Sequence, residues 1–119
     1  MTTKIVMTVS GAVEAATGVA LILVPEVVSR LLLGVELGSA GIALARVAGF
    51  GFLSLTIACW PPGDEPSRQT IRALFVYNLL AGLYLGYLRV GGGFAGVLLW
   101  PACILHVVLA FLLARPAAG

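Results

Sequence analysis

Apolar residues fill four long stretches of the chain, and polar residues gather in the short connections between them. The first stretch runs from about residue 5 to 24, near the ~20 residues a helix needs to cross a bilayer, and Pro25 ends it. The second runs from 40 to 60 and stops at Trp60-Pro61-Pro62-Gly63-Asp64-Glu65-Pro66, where three prolines and a glycine mark a polar loop. The third covers 70–88 and is closed by Arg89 and Gly91-Gly92-Gly93. The fourth covers 94–114 and ends at Arg115-Pro116. Between the first two lies Glu26–Gly34, short and mixed in polarity, which reads as an interfacial helix or a bent last turn. Pro101, after Trp100, is expected to kink the fourth span. The fold class that follows is all-α, a polytopic membrane protein with four transmembrane helices in a compact up-down bundle over residues 1–119.

Composition points the same way. Hydrophobic residues make up 61% of the 119 positions and charged residues 10%, and the mean hydropathy is +1.10. Soluble domains carry about 25% charged residues. The seven Lys and Arg residues are scattered, so nucleic acid is not an expected partner. Cys59 and Cys103 form no CxxC pair, which leaves thiol redox and thiolate metal chemistry without a motif. The run from Ile5 to Val9 is too short for a signal-peptide core, and Glu14 interrupts the longer run. Lys4, Arg68, Arg72 and Arg115 fall on one side of the bundle, against Arg30 and Arg89 on the other. The positive-inside rule then puts both termini in the cytoplasm of an inner-membrane protein.

Each span carries one strongly polar residue near its middle: Glu14, Arg46, Asn78 and His106. Such groups are costly in hydrocarbon unless they face a partner or water. At 1.5 Å per residue, Glu14 lies ~14 Å and Asn78 ~12 Å from one face, with His106 ~18 Å and Arg46 ~9 Å from the other. Glu14, Asn78 and His106 therefore share a layer. Arg46 sits above it, and a Glu14–Arg46 pair is expected as a clasp fixing helix register. Gly11, Ala15 and Gly18 beside Glu14, and Gly41, Ala45 and Gly49 beside Arg46, form small-residue stripes that let helices approach closely. Tyr77 and Tyr84 share a helical face near Asn78, and Trp100 and Cys103 share one with His106. A metal centre would need His106, Cys103, Glu14 and a further donor to converge, and a single histidine cannot ligate haem twice. No cofactor and no metal are expected, and no catalytic motif is present.

Two resemblances add to this. Glu14, with Gly18 after it, resembles the first-span carboxylate of the small multidrug resistance transporters, but that family spaces its glycine one residue closer and follows it with a lysine. Its third-span Trp and Gly pattern is replaced here by Phe75-Val-Tyr77-Asn78. Gly18…Pro25, Ala45-Arg46-Val-Ala-Gly49, Cys59-Trp60-Pro61 and Trp100-Pro101…His106 resemble a domain-of-unknown-function class of small bacterial four-span membrane proteins, distantly similar to the fungal sterol-assembly scaffold. That resemblance implies a scaffold or accessory subunit that packs against partners or itself, with the lipid bilayer and a homo-oligomer or larger membrane complex as its surroundings. The alternatives are a small transporter or channel using Glu14, Asn78 and His106, and a membrane enzyme pairing His106 with Glu14.

Overall fold

The computed structural model describes residues 2–61, 63 and 65–119. Pro62 and Asp64 of the expected polar loop lie outside the described residues. The chain forms α1 (Thr3–Leu23), α2 (Pro25–Leu32), α3 (Ser39–Cys59), α4 (Arg68–Val90) and α5 (Leu99–Ala118). All but α2 are long and apolar enough to cross a membrane. The Thr2 side chain caps α1 by accepting from the Ile5 amide, and Ser67 caps α4 by accepting from Thr70. Pro25 stops α1 because it has no N–H to continue the ladder, and then serves as the first residue of α2, where none is required.

The turn from α2 into α3 is tied by side chains. Ser29 Oγ donates to the Val35 carbonyl at 2.7 Å, and Glu26 Oε2 accepts from the Leu37 amide at 3.2 Å. Gly34 takes φ +74°, a left-handed turn that a side chain would strain.

The fourth span departs from the expected 94–114. Its helix begins only at Leu99, because the preceding residues are spent on helix ends: the Phe94 amide donates to the Leu88 carbonyl of α4, and Ala95 and Leu98 cap α2. Ala95 N–H donates to the Leu33 carbonyl at 3.3 Å and Leu98 N–H to the Leu31 carbonyl at 2.8 Å, supplying donors that the end of a helix lacks. Gly96 lies so close that a Cβ there would overlap the Leu32 carbonyl. The expected kink at Pro101 does not occur. Pro101 is the third residue of α5, where a missing N–H costs no intrahelical bond. The helix then continues through Arg115 and Pro116 to Ala118, where Arg72 Nε donates to the Ala117 carbonyl at 2.9 Å.

α1 packs chiefly on α3 and α4 chiefly on α5, giving two antiparallel hairpins. Glycines set both approaches. A Cβ at Gly18 would sit 2.9 Å from the Gly49 carbonyl oxygen, and one at Gly82 would sit 2.8 Å from Val107. The hairpins join through an apolar core at the end that bears both termini, built from Val6, Met7, Cys59, Ile71, Leu74, Leu109, Leu113 and Ala117. Just beyond that core lies the polar layer.

Candidate functional site

Ser10 and Glu14 stand one turn apart on the buried face of α1. Asn78 comes from α4 and His106 from α5. Ser10 and Asn78 are fully buried, Glu14 is 1% exposed and His106 8%. Ser10 Oγ donates to Glu14 Oε2 at 3.0 Å, Asn78 Nδ2 donates to Ser10 Oγ at 2.9 Å, and His106 Nδ1 meets Asn78 Oδ1 at 2.8 Å.

The polarity of this chain can be deduced. Asn78 Nδ2 also contacts the Leu74 carbonyl at 2.8 Å. A carbonyl only accepts, so the amide nitrogen must face it, and the amide oxygen must face the histidine. That oxygen also only accepts, so His106 must carry its proton on Nδ1. Every bond then runs the same way: His106 donates to Asn78, Asn78 to Ser10, and Ser10 to Glu14. Bonds aligned head to tail polarise one another in a low-dielectric interior. Among the described residues, no fully buried side-chain nitrogen or oxygen lacks a partner.

The layer of Glu14, Asn78 and His106 is thus brought together as expected. Arg46 is not part of it, which corrects the expected Glu14–Arg46 pair. Arg46 is exposed, and its Nε donates to the Ile22 carbonyl at 3.2 Å. Ile22 lies eight residues past Glu14 on α1, a rise of about 12 Å, too far for a direct ion pair. The physical reason is the break at Pro25, which leaves carbonyls of the last turn of α1 without amide donors. A cation there also meets the negative end of the helix dipole. In a double-mutant cycle of Glu14→Gln and Arg46→Gln, the unfolding free energies should add within about 0.5 kcal/mol. A coupling above about 1 kcal/mol would restore the ion pair.

Of the remaining candidates, Tyr77 joins the site. Its ring stands edge-on to His106 at 5.6 Å and to Phe52 of α3 at 5.4 Å, bridging the two hairpins. Cys103 is spent on packing, with Sγ donating to the Gly82 carbonyl at 3.3 Å. Tyr84 is exposed and stacks on Tyr87, and Trp100 is exposed near the start of α5. Ser10 is the member that sequence reasoning missed. Its signal was the i, i+4 spacing to Glu14, which is faint because serine is common in spans. Two surface grooves lie elsewhere, one lined by Thr2, Lys4, Gly63 and Glu65, the other by Arg72, Phe75 and Ala114. Among the described residues, no three His, Cys, Asp or Glu side chains gather as a metal site would require.

The arrangement is suited to holding helices in register and poorly suited to carrying protons. A hydroxyl or imidazole can accept a proton at one atom and release another. The Asn78 amide cannot do so without passing through an unstable imidic acid. Four apolar helices of spanning length around this layer fit a small, multi-pass integral membrane protein. No protein family, no curated protein and no solved structure matches the chain.

Proposed function

We propose that this is a scaffold or accessory subunit of the inner membrane that acts by packing its helices against a partner or a second copy. The supporting observation is the outward face of α3. Ala43, Val47, Phe50, Gly51, Ser54 and Ala58 fall within one 100° arc of that helix, and all are exposed. A Cβ at Gly51 would meet nothing within 4 Å. Small residues facing lipid gain little there, whereas against another helix they allow the close approach that drives association in membranes. The bias of Lys and Arg toward the terminal end supports cytoplasmic termini. The resemblance to small four-span proteins related to a sterol-assembly scaffold belongs with this reading.

The transport alternative draws on the same midplane residues. It is weakened by the amide in the middle of the hydrogen-bond chain and by the engagement of Glu14 with Ser10. The test is native mass spectrometry of the protein released directly from its membrane. A fixed oligomer, or a fixed stoichiometry with another membrane protein, is the expected result, and Gly51→Leu should abolish it. A monomer at native expression levels would sink the proposal.

A further inference from the structure

The tautomer of His106 leaves a consequence at its other nitrogen. With the proton on Nδ1 and donated to Asn78, Nε2 of the neutral ring is a bare acceptor. Among the described residues nothing donates to it, and the hydroxyl of Tyr77 likewise has no partner. Among the described residues no fully buried polar side-chain atom lacks a partner, so both atoms must open to the outside of the chain. Their rings are in edge-on contact, at 5.6 Å and 87°. His106 is seven residues into α5, about 11 Å from the start of that helix. In hydrocarbon, a hydrogen-bonding group without a partner is costly.

Whatever satisfies this pair must be slender, since the histidine is only 8% exposed. The side of another helix cannot enter such an opening, whereas a single hydroxyl can. It must also be soluble at this depth, which calls for an apolar body. We propose that His106 and Tyr77 form a binding site for a membrane-soluble alcohol. Its hydroxyl donates to His106 Nε2 and accepts from Tyr77 Oη, and its apolar body lies along the lipid-facing surface beside Phe52. The site is distinct from the packing face proposed for α3: it meets that helix at Phe52, which lies outside the arc of Ala43, Val47, Phe50, Gly51, Ser54 and Ala58.

His106 is the only histidine in the chain, so its ring nitrogens can be observed without assignment. The full chain, labelled with 15N-histidine, is placed in phosphatidylcholine liposomes and titrated with 1-hexadecanol or with the methyl ether of the same alcohol. The bare Nε2 resonance should move saturably toward its hydrogen-bonded position with the alcohol and stay in place with the ether, which has no donor. Tyr77→Phe removes one hydrogen bond and should raise the half-saturating alcohol concentration about five-fold. The site is overturned by a resonance that the alcohol leaves unmoved, by equal movement with the ether, or by a free protein whose proton resides on Nε2.

Discussion

An Asn78→Leu variant should lose about 2 kcal/mol of folding stability in lipid bicelles, with its two hairpins loosened from each other and α5 loosened from α4 at His106. Asn78 is where the hairpins are stapled: its amide bonds to Ser10 of the first hairpin and to His106 of the second. Interhelical hydrogen bonds in membranes contribute about 0.6 kcal/mol on average and up to about 1.7 each. Leucine removes two of them and leaves the His106 Nδ1 proton facing hydrocarbon, which adds the cost of an unsatisfied buried donor. Leucine fills much the same space, so little of the loss comes from a cavity. The contact of Gly18 with Gly49 lies within the first hairpin and should survive. A thermal or denaturant series giving a change below about 0.5 kcal/mol would show that the layer contributes little.

The second large effect is expected at Gly49. A valine there would place its Cβ 2.7 Å from the Gly18 carbonyl oxygen and 2.8 Å from Ile22. Backbone stands directly opposite, so no side chain can turn aside, and the two helices must separate. Overpacking costs 1–3 kcal/mol and occasionally more, and about 3 kcal/mol is expected where the obstacle is backbone. Separation would also draw Arg46 away from the Ile22 carbonyl and undo the cap on α1. Gly51→Val, two residues along the same helix, is the matched control because nothing lies near it. It should leave the monomer within about 0.5 kcal/mol of wild type. Equal losses for the two variants would mean that glycine content, rather than the approach of α1 and α3, governs the hairpin.

These effects separate what the sequence discloses from what it hides. The spans are legible because their length and apolarity are set by the bilayer and not by tertiary contacts. The shared layer of Glu14, Asn78 and His106 is legible because depth along a straight helix is simple arithmetic. Arg46 misleads the same arithmetic. Depth measured from the start of α3 misplaces it, because α3 begins beyond the level at which α1 ends, and Arg46 is level with Ile22. The register between two helices depends on packing at Gly18 and Gly49, which no single-helix measure contains. Phe94 to Leu98 are hidden for a related reason. They are apolar enough to pass for the start of a span, yet the Ala95 and Leu98 amides cap α2, a long-range contact invisible to hydropathy. Ser10 is the quietest case. Its role exists only because Asn78, 68 positions away, arrives beside it.

The polar layer forms an intramolecular clasp between hairpins, and the Ser10–Asn78 bond is the link on which that depends. A double-mutant cycle of Ser10→Ala and Asn78→Ala, read as unfolding free energy in bicelles, measures that link directly. The clasp predicts that the two losses are not additive, with a coupling of about 1 kcal/mol. Strict additivity would contradict it, and would mean that Ser10 and Asn78 act separately within their own hairpins.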